Sequence, residues 1–360
     1  MKGPFNRRGG LTVIPMPGFE ETAELVAAKV RAMAVEKGDE FYETPVDVAR
    51  PVFGKRPSGE PYLRLGKKHI GGHDCVVITS GPGTWEMLGS LMLLLRYLAG
   101  RHASRITVVS GYFPLSRSDK DEGELEFALP PLIIDLLKTA AHGSDVSLSR
   151  IISVDLHAPQ VVMSGCTGLI TELSMVRRVV TMAIKDVLAA GERLVISYPD
   201  AGMATRAGKV VSKVVDDMGI QVPCVCGIKL RTSGTTVEIK DVFGPTHLIR
   251  GATVLCLDDE IATGGTNITT AASLKSEQFG AAKVSTVVTH GVLCGDAPGR
   301  FLAPDCPVDV IYCSDTIPIM NRPELVPLMQ SGRLRVVEWW RDLAWAMYHL
   351  HWDLSIRVVR

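Results

Sequence analysis

The sequence predicts an α/β protein of two consecutive units, each a mostly parallel sheet flanked by helices. Three observations predict it. Short apolar runs such as Cys75-Val76-Val77-Ile78 and Val254-Leu255-Cys256-Leu257 are bounded by turn residues, as in parallel strands covered on both faces. These runs alternate with segments of helical periodicity, the βαβα order of a parallel sheet. The alternation occurs twice in 360 residues, a length that accommodates two domains with substantial cores.

Taken in order, residues 11–15 read as a strand and 20–37 as an amphipathic helix. Residues 42–65, broken by prolines and glycines, read as antiparallel strand and hairpin material. Strands at 74–80, 105–112 and 151–156 then alternate with helices at 85–101 and 124–141. The second series has a helix at 172–190, a strand at 193–198, a helix at 205–218 and a strand at 222–229. Strands at 253–259, 283–290 and 308–313 follow, and 334–350 reads as strand then helix. The expected domains are 1–165 and 166–333, with 334–360 available to pack back on the first.

Composition narrows the function classes. Lys+Arg and Asp+Glu are both 39, so no global basic field favours nucleic acid, and anion binding must be local. Eight scattered cysteines, with Cys75, Cys256, Cys294 and Cys313 in apolar runs, read as free thiols of a reducing compartment. Cys224 and Cys226 form only a CxC and are not read as a metal site. No apolar run approaches the ~20 residues of a membrane span. The basic start, residues 1–10, lacks an apolar signal core. A cytoplasmic protein without membrane or nucleic-acid partners is expected.

The most informative stretch is Asp258-Asp259-Glu260-Ile261-Ala262-Thr263-Gly264-Gly265-Thr266. It ends an apolar strand and opens a periodic helix. Two glycines let backbone N–H groups approach an anion at the positive end of that helix, which suits phosphate. The paired carboxylates before it suit ribose hydroxyls, or a metal bridging to them. A phosphorylated sugar is therefore the expected ligand.

Ligands of open α/β sheets sit beyond the carboxyl ends of strands. Here those ends carry Arg117 and Asp119, Asp155-Leu156-His157-Ala158, Pro199-Asp200-Ala201-Gly202, Lys229-Leu230-Arg231, and Thr289-His290-Gly291. With Ser58-Gly59-Glu60 and Tyr112-Phe113-Pro114, these motifs resemble, in order and over almost the whole chain, the ribose-phosphate pyrophosphokinases. The loop alone would indicate only the wider phosphoribosyltransferase class. The resemblance implies two phosphoribosyltransferase-like domains, with ATP on the first and ribose 5-phosphate on the second. It implies transfer of the β,γ-diphosphate of ATP to the 1-hydroxyl of ribose 5-phosphate, releasing AMP, with Mg²⁺ as cofactor. Glu60, Arg117 and Asp119 would serve ATP. His157, Asp200 and Asp155 would serve the metal, and Lys229 and Arg231 the transferring phosphate. Asp258, Asp259, Thr263, Gly264, Gly265 and Thr266 would hold ribose 5-phosphate. A homo-oligomer with its ATP site near a subunit interface is also implied.

Plainer readings stand beside these. Asp155 and His157 could be strand-end residues satisfied by backbone, and Asp200 a helix N-cap. Lys229 and Arg231 could be a solvated pair on a hairpin, His290 a structural histidine, and the tryptophan-rich end core packing. Residues 202–209 approach a P-loop, but five residues separate the glycines and Val210 stands where Ser or Thr belongs. Departures from the family pattern are Ala262 inside the loop, Cys166 and Ile170 in place of acids, and Arg56 where an adenine-stacking Phe is expected, with Phe53 close by. The acidic run 121–126 resembles the phosphate-independent, plant-type branch and predicts weak activation by inorganic phosphate. The alternatives to a diphosphokinase are a phosphoribosyltransferase and a catalytically silent regulatory subunit.

Overall fold

The computed structural model describes residues 9–37, 45–119, 127–233 and 236–356, with 34–37, 228–233 and 236–241 described by backbone alone. The chain forms two compact units, Met1–Ser174 with Trp339–Arg360, and Met175–Glu338. Among the described residues no helix is long and apolar enough to cross a membrane.

The first unit is built on strands β1 (Leu11–Pro15), β2 (Val46–Val48), β5 (Asp74–Thr79), β6 (Arg105–Ser110), β7 (Leu148–Val154) and β8 (Ile170–Leu173). Their order is β2-β1-β5-β6-β7-β8, and every pair is parallel. β3 (Pro51–Lys55) and β4 (Pro61–Leu65) form a separate antiparallel hairpin. Helices α1 (Glu20–Lys37), α2 (Trp85–Gly100) and α3 (Pro130–Ala140) cover the sheet with the C-terminal helix Trp340–His351. Thr84 caps α2 by accepting the Met87 N–H at 3.3 Å. Leu88, Leu91, Leu95 and Leu98 of α2 then fall on one face and pack with Ile133, Ile134 and Leu137 of α3 over Cys75 and Val77. On the opposite face the C-terminal helix lies against α1.

Three expectations change in this unit. The helix expected at 124–141 begins at Pro130, where two prolines occupy the first turn. The acidic run 121–126 lies outside the described residues. The helix expected from residue 172 is preceded by β8, because Ile170–Leu173 pair with Ile151–Val154 and complete the first sheet. This unit therefore runs to Ser174. Of the residues read as antiparallel, β2 runs parallel to β1, since it follows a helical crossover.

The second unit contains α4 (Val176–Ala189), β9 (Leu194–Tyr198), α5 (Ala201–Asp217), β10 (Cys224–Ser233), β11 (Thr236–Phe243) and β12 (Thr253–Ile261). It continues with α6 (Gly265–Lys275), β13 (Lys283–Gly291), α7 (Ala297–Leu302), β14 (Val310–Ser314), α8 (Val326–Gln330) and β15 (Leu334–Val337). The sheet order is β11-β10-β9-β12-β13-β14-β15, parallel except for β11, which runs antiparallel to β10. Sequence reading did not resolve β11, since its partner is β10 rather than a crossover strand. Helix α5 starts four residues earlier than expected, at Ala201, because Asp200 caps it. Cys75 and Cys313 are buried, whereas Cys294 is exposed beyond β13.

Candidate active site

In the second unit, the central strand β12 delivers the acid pair and the glycine loop to the start of α6. Successive strand residues face opposite sides, and the two acids part accordingly. Asp258 lines a small cavity with Tyr198, Gly227, Thr266 and Asn267. Asp259 is 9% exposed and lies 3.8 Å from the Arg206 guanidinium of α5. The structure thus brings Asp258 together with Thr266 of the loop, while Asp259 meets a cation.

The loop itself is tightly specified. Gly264 has φ +75°, and a Cβ there would lie 2.3 Å from the Phe301 ring of α7. Only glycine meets both conditions. The Arg300 guanidinium donates to the Thr263 carbonyl at 3.1 Å, and the Ala262 carbonyl accepts from the Cys294 N–H at 3.1 Å. Thr263 and Thr266 are exposed, so their hydroxyls flank the backbone N–H groups at the head of an 11-residue helix. Arg206, Arg300 and Phe301 had no sequence signal, because each reaches the site from another element.

Asp200 is a helix N-cap, accepting the Met203 N–H at 2.8 Å, while a carboxylate retains further acceptor capacity. Lys229 and Arg231 lie on β10 opposite Ile239 and Val237 of β11, with no register break between them. Their side chains lie outside the described residues. His290 is 2% exposed and hydrogen-bonded at Nδ1 to the Thr316 hydroxyl at 2.9 Å, a structural setting.

In the first unit, β5, β6, β7 and β8 end side by side. Near their carboxyl ends Thr79, Ser110, Ser153 and Glu172 stand in register across four strands and form a polar row. The Ser80 hydroxyl accepts the Tyr112 N–H at 2.7 Å and ties the β5 end to the β6 end. Arg117 is exposed, and half-buried Asp119 accepts from the Gln160 side chain at 2.9 Å. That bond joins the loop after β6 to the short 3₁₀ turn Pro159–Ser164, which follows the Asp155-Leu156-His157 turn. Asp155 has φ +35°, a strained value for a residue with a side chain. His157 is half-buried.

Glu60 is exposed at the tip of the β3–β4 hairpin, where its carboxylate accepts from the Ser58 hydroxyl at 3.0 Å. Arg56 lies over the Tyr62 ring of the same hairpin, 5.9 Å from its centre. Phe53 and Tyr62 line an open apolar hollow of about 930 Å³ with Trp85, Leu93 and Leu136.

A mostly parallel α/β unit with a glycine loop at a helix N-terminus, beside a second α/β unit with polar strand ends, defines the α/β class of folds whose ligands sit beyond the carboxyl ends of strands. No family model matches the chain. It is similar to a ribose-phosphate pyrophosphokinase from Rhodopirellula baltica, 31% identical over 309 residues, covering 86% of this chain and 89% of the relative. A ribose-phosphate pyrophosphokinase from Hyphomonas neptunium is 32% identical over 261 residues, 72% of this chain and 76% of that one. In fold, the chain is similar to phosphoribosylpyrophosphate synthetase from Mycobacterium smegmatis, with TM-score 0.70 and 24% identity, covering 96% of this chain and 99% of the other. The chain belongs to the ribose-phosphate pyrophosphokinase family.

Proposed function

We propose that the protein transfers the diphosphoryl group of ATP to the 1-hydroxyl of ribose 5-phosphate, giving 5-phosphoribosyl 1-diphosphate and AMP. The observation that carries this reading is that the Rhodopirellula baltica relative matches 86% of the chain, which spans both units. A phosphoribosyltransferase would need the glycine loop but not the strand-end site of the first unit.

The roles follow from the chemistry of phosphoryl transfer, which needs placement and cations more than covalent help. The N–H groups and hydroxyls of Thr263, Gly264, Gly265 and Thr266 hold the 5-phosphate. Asp258 accepts from ribose hydroxyls, and Asp259 stands 3.8 Å from the Arg206 guanidinium. Arg117, Asp119 and Glu60 serve ATP. Lys229 and Arg231 neutralise charge as the β-phosphate moves, Arg231 as a bidentate partner.

Mg²⁺ is the cofactor. Among the described residues no three His, Cys, Asp or Glu side chains form a metal cage. Mg²⁺ keeps several waters and is held by one or two protein groups plus substrate phosphates. His157, with Asp155 beside it, in the first unit and Asp200 in the second each offer such a group. When bound, Mg²⁺ supplies neutralisation of the phosphate oxygens. The protein's own part is to fix the turn that presents His157 and the cap that orients Asp200.

A cytoplasmic homo-oligomer is the accompanying reading. The oligomer is supported by Trp85, 86% exposed at the rim of the apolar hollow, a surface that a partner subunit would cover.

Incubation with Mg-ATP and ribose 5-phosphate should yield AMP, and Lys229→Ala should slow it about a hundredfold, the usual cost of one transition-state donor. Diphosphate release that requires a nucleobase and phosphoribosyl diphosphate would favour a phosphoribosyltransferase instead. Absence of turnover with modulation of a partner enzyme would favour a silent subunit. The acidic run 121–126 supports kinship with the phosphate-independent branch. Initial rates should therefore change less than about twofold across an inorganic phosphate titration, where an added anion finds a repelling charge rather than a basic pocket. Steep activation would overturn that expectation.

A further inference from the structure

We infer that Glu172 is a positioning residue for the Asp155-Leu156-His157 turn, an inference that rests on the metal-holding role proposed for His157. The ladder between β7 and β8 ends at Val154 and Leu173, so the residues beyond it have no strand partner by default. Two bonds from β8 nevertheless hold the turn. The Leu173 carbonyl accepts the Asp155 N–H at 2.9 Å, and the Glu172 Oε1 accepts the Leu156 N–H at 2.8 Å. On the other edge, the Gly111 carbonyl accepts the Val154 N–H at 3.3 Å.

The Glu172 bond matters for two reasons. Leu156 is 4% exposed, and a buried N–H left without an acceptor is costly, so the carboxylate satisfies a donor that water cannot reach. A charge-assisted bond of this kind is also stronger than a neutral one. The turn it holds contains Asp155 at φ +35°, and such strain persists only where the surroundings over-determine it. Glu172 is the one acid in the four-residue strand Ile170–Leu173, whose other residues are all buried, and its partner is the residue immediately before His157. Without an acceptor oxygen at this position, the turn relaxes toward an unstrained backbone and the imidazole moves.

The test compares Glu172→Ala with Glu172→Gln, which keeps an acceptor oxygen but no charge. Three readouts are taken on the full chain: amide exchange at Leu156, the ring resonances of His157 assigned with His157→Gln, and kcat and KM for AMP formation. Glu172→Ala should lose exchange protection at Leu156, shift the His157 resonances and lower kcat by about ten- to a hundredfold, as loss of a supporting residue around a metal ligand does. KM for ribose 5-phosphate should stay within about twofold, and Glu172→Gln should recover most of each loss. Unchanged His157 resonances in Glu172→Ala would overturn the inference. So would a uniform loss of melting temperature and activity that Gln does not rescue. An inactive wild-type protein would sink the proposed activity, while the exchange and resonance readouts would still decide the positioning role.

Discussion

Gly264→Ala should weaken ribose 5-phosphate binding at least thirtyfold, measured by calorimetry on the full chain. Two independent costs meet at this position. Its φ of +75° lies in the left-handed region, where a Cβ costs about 1–2 kcal/mol. That Cβ would also fall 2.3 Å from the Phe301 ring, an overpacking worth about 1–3 kcal/mol. The loop can relieve neither without moving the N–H groups proposed to receive the phosphate, so about 2–5 kcal/mol appears as lost affinity. Pairing the change with Phe301→Leu separates the causes. The double variant should recover the steric part and keep the dihedral part. Wild-type affinity in Gly264→Ala would remove the loop from the binding site.

Asp74→Ala should destabilise the first unit by about 3–5 kcal/mol, read from denaturant unfolding. Asp74 is 1% exposed at the start of β5 and accepts from Arg105 Nε at 3.1 Å and from His351 Nδ1 at 3.0 Å. Arg105 goes on to the Leu350 carbonyl at 2.7 Å and to Asp353 at 3.1 Å. These bonds fasten the C-terminal helix to the first sheet. Removing the carboxylate leaves the Arg105 guanidinium without its buried counter-ion, with only the exposed Asp353 to pair it, and takes from His351 the Asp74 acceptor. Burial pushes the Asp74 carboxyl up, but the hydrogen bonds from His351 and Arg105 outweigh it and hold the carboxyl below its usual range. A depressed carboxyl contributes stability that is present above the unfolded value of 3.8 and is lost as pH falls below it. Unfolding between pH 5 and pH 2 should therefore be steeper in wild type than in Asp74→Asn, a variant that does not titrate. Parallel curves would show that Asp74 does not set the acid limit.

Much of the site was legible because its signals are local. The run from Val254 to Thr266 declares a buried strand, an acid pair and a glycine loop within one stretch, and the structure builds them in that order. Asp200 three residues before Met203 is a cap signature, and it caps. The βα alternation carried the two sheets, since periodicity reports which face of each element is buried.

Tertiary structure alone decided the rest, because it depends on partners distant in sequence. Residues 170–173 have no local feature that separates a strand from the first turn of a helix; pairing with β7 makes them β8. Asp74 and His351 are 277 positions apart, and neither carries a sign of the other. Asp258 and Asp259 look equivalent in the sequence, but strand alternation sends one toward the loop and the other toward Arg206. The sequence by itself determined which groups the chain offers: a glycine loop after an acid pair, a Lys-x-Arg pair and polar residues at strand ends. The fold decided which partners hold those groups in place, because a hydrogen bond is specified by distance in space and not by separation along the chain.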